Sequence, residues 1–259
     1  VRLTHAVISG ALEHAVTKEQ TLLRNPARGA ELPRARKPKI VALTANQLAK
    51  LRVAAARDAH GVVFLFAVTT GMRPSEYLAL RWKDIELDAC TATVVRSIHR
   101  AGSEKWRFEE PKTHSSRRAV TFPPTMAKAL KAHRASQAKR RIAAGSAWQD
   151  HDLVFCTEIG TPINVQNLKN RSFKPILEEA GIPSSTRLYD LRHTMATLLI
   201  DEGVDPRTVA DRLGHSSVAT TLGTYVHPPT EMQAKAARRL EDILFTRRGS
   251  PAPRRSPRS

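Results

Sequence analysis

Six polar residues in this chain of 259 residues have the chemistry that cleavage of a phosphodiester requires. They are Arg73, Lys112, Tyr189, Arg192, His215 and Tyr225. A side-chain nucleophile that attacks phosphorus must be deprotonated, the non-bridging oxygens need positive charge, and the leaving oxygen needs an acid. Arginine suits the second role because its planar guanidinium pairs two phosphate oxygens and keeps its charge. The residue types therefore predict phosphoryl transfer.

These residues lie in short motifs whose order is informative. In chain order the motifs are TGMRPSE at 70–76, PKT at 111–113, YDLRHT at 189–194 and LGHSS at 213–217, and Tyr225 follows His215 by ten residues. This set resembles the tyrosine recombinase (phage integrase) family, whose members cut and rejoin DNA through a phosphotyrosine. The resemblance extends over about residues 41–246. It rests on several motifs together, because a single short motif often matches by chance.

The resemblance implies a role for most of these residues. Tyr225 is the nucleophile that forms a 3′-phosphotyrosine, and Arg73 and Arg192 stabilise the phosphorane-like transition state. His215 assists, since an imidazole can donate a hydrogen bond or accept a proton near neutral pH. Lys112 is the acid that protonates the leaving 5′ oxygen. The energy of the broken bond stays in the protein–DNA ester, so rejoining needs no cofactor.

Two lysines compete for the role of the acid. We predict a hairpin between strands near Phe108 and Val120, and Lys112 in its loop is the best match to the hairpin lysine of the family. Lys105 lies in the preceding turn and stays an alternative. For either lysine, a solvated loop position without a catalytic role is the other interpretation.

Tyr189 departs from the family pattern, which usually has histidine and sometimes lysine at this position. A phenol with a reference pKa of about 10 is a poor base at neutral pH. Tyr189 can instead hydrogen-bond the phosphate, or it is an amphipathic tyrosine at the edge of the core. It shares a helical face with Arg192, three residues later. Glu76, in the first motif, is expected to orient nearby basic groups.

Local signals place the first motif and the His215 motif at helix ends. Gly71 is a predicted helix stop, and Pro74 is a predicted first helical position. Arg73 therefore precedes a helix whose backbone amides would also favour an anion. Gly214 likewise ends a predicted helix, and His215 lies in the turn that follows.

Arg192 and Tyr225 lie on predicted amphipathic helices. On the second helix, Val218 and Leu222 are expected to pack inward and to place Tyr225 at the edge of a cavity. The apolar residues that define the buried side of the first helix are Leu188, Leu191, Met195, Leu198 and Leu199.

The wider pattern predicts a mainly α fold with a small antiparallel β-sheet (α+β), of the tyrosine recombinase catalytic-domain type. Residues 92–122 alternate and are rich in Thr, Val, Ile and Phe, which predicts a three-stranded antiparallel sheet. Thr44 and Gln47 form a predicted capping box, and Asp205 a predicted helix cap. The predicted helices span 44–58, 62–68, 124–143, 164–180, 187–202, 205–213, 217–226 and 230–246.

Four segments are predicted along the chain. Residues 1–24 are the last helix of an upstream helical core-binding domain, since a lone helix with an apolar stripe needs a partner surface. Residues 25–40 are a Pro-rich, basic linker, and residues 41–246 are the catalytic domain. Residues 247–259 are a basic disordered tail without acidic residues.

The charge balance predicts a polyanionic partner. The chain has 42 Lys and Arg against 24 Asp and Glu, a formal net charge of +18, and double-stranded DNA fits this excess better than an anionic membrane. No apolar run approaches the ~20 residues of a membrane-spanning helix.

Cys90 and Cys156 lack companions at zinc-ligand spacing, so we expect two buried thiols in a reducing cytoplasm and no metal site. No glycine-rich phosphate loop is present, so ATP is not expected either.

The sequence therefore predicts a site-specific DNA recombinase or integrase that works without metal or cofactor, located in the cytoplasm and held at the nucleoid through DNA. The resemblance also implies a homotetramer on two duplexes, docked through the helix at 230–246, with accessory DNA-bending proteins as further partners. Two alternatives stay open: a monomeric type IB topoisomerase, and a non-catalytic DNA-binding protein that kept the fold. A covalent trap separates catalysis from binding, and strand exchange separates a recombinase from a topoisomerase.

Overall fold

The computed structural model of the chain describes residues 1–33, 42–101, 105–110, 117–215 and 217–225, with residues 238 and 241. The helices in this part of the chain are α1 (Arg2–Thr17), α2 (Ala45–Ala55), α3 (Gly61–Thr70), α4 (Pro74–Tyr77), α5 (Pro124–Ala144), α6 (Val165–Leu168), α7 (Lys174–Glu179), α8 (Leu188–Asp201), α9 (Pro206–Leu213) and α10 (Val218–Tyr225). The strands are β1 (Ile85–Glu86), β2 (Thr91–Val94), β3 (Ser97–Ala101), β4 (Lys105–Glu109) and β5 (Arg118–Thr121). The fold is mainly helical with small antiparallel sheets, as predicted.

Three of the predicted features fall outside the described residues. These are the loop that contains Lys112, the C-terminal tail at 247–259 and, apart from residues 238 and 241, the helix at 230–246. The described chain divides into two compact units, Val1–Lys39 and Ile40–Ser259. The assignment of these units to a remnant of an upstream domain and a catalytic domain stays a prediction.

The first unit is built on α1 and the short 3-10 turn that follows it. The side-chain amide of Asn25 donates to the Ser9 carbonyl at 2.9 Å and to the Glu13 carboxylate at 2.8 Å. Arg28 pairs with the same carboxylate at 2.6 Å. The described part of the predicted linker is therefore bound to α1 along one side of this helix. The large apolar side chains that stay exposed on this unit include Val1, Leu3, Val7 and Ile8.

The strands form two separate antiparallel sheets rather than the single three-stranded sheet predicted for 92–122. One sheet has the order β1-β2-β5, and the other is the hairpin of β3 and β4, in which Ile98 lies opposite Phe108. The predicted hairpin across the Lys112 segment is therefore wrong, because β4 and β5 belong to different sheets. The alternating pattern runs through all these strands, so it does not show which of them pair.

A large apolar core packs α2, α3, α5 and α7 against the three-stranded sheet. Aromatic rings meet in its centre: the ring centroid of Phe66 lies 5.9 Å from that of Phe122 and 5.5 Å from that of Phe155, and Phe64 lies 5.0 Å from Phe173. Full burial of one such side chain stabilises the fold by about 1.5–3 kcal/mol. This packing fixes α3, whose C-terminus leads into the first motif.

A second, smaller apolar cluster joins α8 to α9. It lies directly behind Arg192, because Met195 follows Arg192 by about one helical turn and Leu213 is the last residue of α9. The cluster therefore sets the position of α8 against the turn that contains His215. Its buried members are Met195, Ala196, Ile200, Val209 and Leu213.

The helix boundaries follow the predicted local signals. Thr44 and Gln47 make both bonds of the capping box, at 3.2 and 2.9 Å, and Asp205 accepts a backbone N–H of α9 at 3.2 Å. The predicted helix at 164–180 contains α6 and α7 with a π-helical turn, Lys169–Phe173, between them. None of the helices in the described residues combines the length and the apolar character that crossing a membrane requires.

Candidate active site

The C-terminus of α9 forms the turn that positions His215. Gly214 has a left-handed backbone with φ of 65°, and its N–H bonds the Asp211 carbonyl at 3.0 Å. The N–H of His215 bonds the Ala210 carbonyl at 3.0 Å. These two bonds are those of a Schellman motif, which needs glycine at the left-handed position. Gly214 is the predicted helix stop, and His215 follows it at the end of the helix.

Three arginines from different elements converge on this helix end. The consecutive carbonyl oxygens of 212–214 accept, in chain order, Arg118 Nε at 2.8 Å, Arg192 Nη2 at 2.7 Å and Arg73 Nη2 at 3.5 Å. The last carbonyls of a helix have no partner within the helix and carry its partial negative charge. They therefore orient the three guanidinium groups without neutralising them.

Arg192 is buried between two helix ends. Its side chain is 1 % exposed, and Nη1 donates to the carbonyl of Gly71 at 2.7 Å, at the C-terminus of α3. Gly71 has φ of 67°, and a Cβ there would lie 2.0 Å from the terminal methyl of Met195. Burial, followed by the charges of Arg73 and Arg118, lowers the pKa of Arg192 to about 10. The guanidinium is therefore still charged at neutral pH.

Glu76 holds Arg73 and Arg118 through one buried carboxylate. It accepts Arg73 Nη1 at 2.7 Å and Arg118 Nη2 and Nη1 at 2.8 and 3.2 Å. Burial alone would raise the pKa of Glu76, but the hydrogen bonds and charges of Arg118 and Arg73 lower it below its ordinary value. Glu76 also accepts the backbone N–H of Arg73 at 2.8 Å. This N–H, at the start of α4, is therefore already bonded within the protein.

Thr221 of α10 fixes the imidazole of His215. The His215 Nδ1 lies 2.8 Å from the Thr221 hydroxyl, which is fully buried. Burial, and then the positive charges of Arg192 and Arg73, lower the pKa of His215 to about 4. The imidazole is therefore neutral at pH 7. Since Thr221 can donate to Nδ1, the remaining ring proton can reside on Nε2 and be donated outward.

Tyr189 lies at the exposed side of this cluster. Its side chain is 38 % exposed, its ring makes an edge contact with His193 at 5.0 Å, and the guanidinium carbon of Arg192 lies 6.0 Å from the ring centroid. Burial lowers the pKa of Arg73, but the Glu76 carboxylate and the Tyr189 phenol together raise it above its ordinary value. Tyr189 therefore belongs to the same electrostatic cluster as the arginines.

Tyr225 is the last residue of α10, one helical turn after Thr221. α10 packs against α8 and α9, the two helices that carry Arg192 and the His215 turn. The expected inward packing of Leu222 is wrong, since its side chain is 42 % exposed. Among residues 218–224, for which the structure describes the exposure, the buried residue is Thr221, and its hydroxyl has a partner in His215.

Lys105 and the two cysteines are the remaining residues that the sequence analysis singled out. Lys105 is the first residue of β4, in the β3–β4 hairpin. Cys156 is buried and Cys90 is partly buried, and neither forms a disulfide. In the described ranges of the chain, no three His, Cys, Asp or Glu side chains are grouped closely enough to hold a metal ion.

The chain matches the model of a known protein family over most of its length. The model of the phage integrase family matches residues 38–232, which include every site residue described above. The chain belongs to the phage integrase family.

Relatives of this phage integrase family member include recombinases and integrases of mobile elements. A XerC-like tyrosine recombinase of Caldanaerobacter subterraneus is 31% identical over 88% of this chain and 62% of its own length. The ICEBs1 integrase of Bacillus subtilis is 31% identical over 70% of this chain and 48% of its own. The chain spans about 60% of the length of the first curated relatives it matches, with 62%, 59% and 63% covered.

Solved structures of two integrases share the fold. The Tn1549 transposon integrase, in complex with a circular intermediate DNA, superimposes with a TM-score of 0.74 at 20% identity, over 92% of this chain and 78% of that one. A λ integrase dimer bound to a COC′ core site gives a TM-score of 0.55 at 17% identity, over 84% of this chain and 72% of that one. The predicted catalytic-domain type of fold is confirmed.

Two residues of the cluster were not among the predicted site residues of this integrase family member. Arg118 shares a strand face with Val120, which is fully buried. An arginine on the core side of a strand needs a buried partner. The alternation of inward and outward residues in Arg118–Thr121 could therefore have marked Arg118 as a site residue. Thr221 follows Val218 by three residues on the buried face of α10, but a threonine at such a position is common and would not indicate a partner in His215.

The low pKa of His215 predicts a pH dependence of stability. The folded-state pKa lies below the unfolded value of about 6.5, so the unfolded chain binds more protons between these values. The stabilising contribution of His215 is complete above pH 6.5 and is lost as the pH falls toward about 4. We expect urea unfolding to show a shallower loss of stability over this range in His215→Asn than in the parent. Equal slopes, or an imidazole that titrates by NMR near its ordinary value, would contradict the buried neutral state.

Proposed function

We propose that this chain cuts and rejoins DNA strands as a site-specific recombinase, through a 3′-phosphotyrosine at Tyr225. The observation that carries the proposal is the convergence of Arg73, Arg192 and Arg118 on the end of α9, next to the helix that ends at Tyr225. Oriented guanidinium groups that keep their charge are suited to a phosphate whose charge builds up in the transition state.

The reaction has two balanced steps. The Tyr225 phenol gives its proton to solvent, its oxygen attacks phosphorus, a 3′-phosphotyrosine ester forms, and the bond to the 5′ oxygen breaks. Lys112 gives its proton to this leaving oxygen, and Lys105 at the start of β4 is the alternative acid. A 5′-hydroxyl then gives its proton back to the lysine and attacks the ester. The Tyr225 oxygen leaves and takes up a proton from solvent, and the strand is restored. Arg73 and Arg192 stabilise the negative charge on the non-bridging oxygens in both steps.

His215 and Tyr189 act as hydrogen-bond donors in this proposal. A neutral His215 whose Nδ1 accepts from Thr221 has its proton on Nε2, which can bond a non-bridging oxygen. The hydroxyl of Tyr189 can donate a hydrogen bond to the phosphate, and this is the role proposed for it. Its exposed edge next to Arg192 supports this role.

The proposal includes the partners and the organisation of the whole protein. Double-stranded DNA is the substrate, supported by the net charge of +18 and by the DNA-bound integrases that share the fold. Four protomers act on two duplexes and dock through the helix at 230–246, with accessory DNA-bending proteins. Residues 1–24 end an upstream core-binding domain, 25–40 are the linker, 41–246 are the catalytic domain, and the protein acts in the cytoplasm at the nucleoid.

The test is a nicked suicide duplex, in which the cleaved strand loses a short fragment and cannot rejoin. We expect a covalent protein–DNA complex that resists denaturant, persists in excess EDTA, and contains one modified tyrosine by mass spectrometry. With a second duplex that has a free 5′-hydroxyl, we expect strand transfer between molecules.

The other outcomes separate the alternatives. Binding to the duplex without any covalent complex would identify a non-catalytic DNA-binding protein. Cleavage and relaxation of supercoiled DNA without transfer between two duplexes would favour a topoisomerase. Loss of cleavage in EDTA, restored by a divalent metal, would refute the mechanism.

A further inference from the structure

Arg118 on β5 contacts two parts of the candidate site, Glu76 of α4 and the end of α9. Its side chain is 7 % exposed and binds the Glu76 carboxylate with both terminal nitrogens. Its third nitrogen, Nε, donates to the Arg212 carbonyl at 2.8 Å. Within the described contacts, one guanidinium thus links the first motif, through Glu76, to the end of α9.

The contact with α9 extends to the residue before His215. A Cβ on Gly214 would lie 2.8 Å from Arg118 Nη1 and 3.1 Å from its Cζ. The guanidinium of Arg118 therefore lies directly against the backbone of Gly214. The side chain of Arg118 therefore packs against the turn that positions His215.

Glu76 transmits the same constraint to Arg73. The carboxylate accepts two bonds from Arg118 and two from Arg73. A carboxylate has about four lone-pair positions, so these four bonds occupy it fully. Without Arg118, Glu76 could turn toward Arg73 alone and draw its guanidinium away from a phosphate.

We propose that Arg118 is a positioning residue for the cleavage reaction: it holds Glu76, and through it Arg73, in register with the α9 turn that carries His215. This inference rests on the proposed function. Arg118 does not have to touch the phosphate to act in this way, because its guanidinium bonds the Glu76 carboxylate and the Arg212 carbonyl. A buried ion pair is weak evidence for a role in stability alone, since apolar replacements are often as stable.

The test compares single-turnover cleavage of saturating suicide duplex by the parent chain, Arg118→Met and Arg118→Lys. By analogy with groups that orient active-site ligands, we expect Arg118→Met to slow cleavage by about 10- to 100-fold, with the dissociation constant for DNA nearly unchanged. Arg118→Lys keeps the charge but cannot bond Glu76 with two nitrogens. It should therefore cleave faster than Arg118→Met and more slowly than the parent. Arg117→Met is the matched control, since Arg117 is exposed and pairs with Glu110, and it should cleave at close to the parent rate.

A double-mutant cycle with Glu76→Gln identifies the route of the effect. If Arg118 acts through Glu76, Arg118→Met should cost much less in the Glu76→Gln background than in the parent, because coupled residues are not additive. Full additivity would refute action through Glu76. Melting temperatures of all variants are measured, and Arg118→Lys replaces Arg118→Met in the cycle if the latter does not fold.

The pH profile gives a readout that a purely structural role would not change. The charged groups that face Glu76 are Arg73 on its own element, Arg118 on β5 and Arg192 on α8. Loss of Arg118 should raise the pKa of Glu76, so the acid limb of the cleavage profile should move to higher pH in Arg118→Met. Carboxyl-carbon NMR of Glu76 measures the same shift without any cleavage.

Each result has one meaning. A parent chain that never forms the covalent complex would refute the proposed function and with it the role of Arg118 in cleavage. A parent that cleaves while Arg118→Met cleaves equally fast, or with an unchanged acid limb, would refute the inference about Arg118 and leave the proposed function intact.

Discussion

Replacement of Tyr225 by Phe is expected to abolish covalent attachment to the suicide duplex while DNA binding stays nearly unchanged. Phe lacks the oxygen that attacks phosphorus, and no later step can replace it. Because only one oxygen is removed from the last residue of α10, the helix should keep its packing against α8 and α9. The covalent complex is measured on denaturing gels, and binding by mobility shift.

The chain contains three tyrosines, so three Phe variants test every alternative phenol. Tyr77 is fully buried, its hydroxyl has no partner among the described residues, and burial raises its pKa. Tyr77→Phe should therefore leave attachment unchanged. Tyr189→Phe should slow attachment without abolishing it. Attachment that survives in Tyr225→Phe and disappears in Tyr189→Phe would move the nucleophile to Tyr189.

Replacement of Arg192 by Ala should give the second largest loss. Removal of one preorganised donor to a developing oxyanion costs roughly 2.7–4 kcal/mol, or about 100- to 1,000-fold in rate. The loss at Arg192 should reach at least the lower figure, because Arg192 is 1 % exposed and its charge acts in a poorly solvated site. Single-turnover cleavage at saturating DNA measures it.

A lysine variant and a distant control make this result specific. Arg192→Lys keeps one charge but cannot donate to the carbonyls of Gly71 and Leu213 with two nitrogens, so a large loss should remain. Arg141→Ala removes one exposed charge that pairs with Asp150 on the surface and should cleave within a few-fold of the parent. If Arg192→Ala also cleaves within a few-fold, Arg192 has only a structural role.

Helix ends were predictable because their causes are local. The backbone is left-handed at two helix C-termini, and this conformation requires Gly71 and Gly214. Both helix ends were predicted from these glycines and their neighbours. The pairing of strands was not predictable in this way. Residues 92–122 have one alternating pattern, but β4 and β5 belong to different sheets, and pairing depends on contacts that a local pattern does not contain.

In the candidate site too, the residue types were predictable from the sequence, but their contact partners were not. The residue types of Arg73, Arg192 and His215 indicated phosphate chemistry, and the family resemblance indicated that they meet. Arg192 has as partners the carbonyl oxygens at the ends of α3 and α9, and His215 has the Thr221 hydroxyl. No sequence motif identifies these partners. Arg118 was missed because its partners, Glu76 and a carbonyl of α9, are distant in the sequence.

Because several partners of the arginines are backbone carbonyls, the site tolerates some amino-acid substitutions better than others. A carboxylate partner disappears when its residue is substituted, whereas the carbonyls of 212–214 remain whatever side chains those positions have. Substitutions at Arg212 or Leu213 can therefore alter packing but cannot remove the acceptors of Arg118 and Arg192. Besides the Glu76 carboxylate, the vulnerable positions are the two glycines that end α3 and α9. A side chain at Gly71 would collide with Met195, and one at Gly214 would collide with Arg118. The arginine cluster therefore depends on two residues that have no side chain.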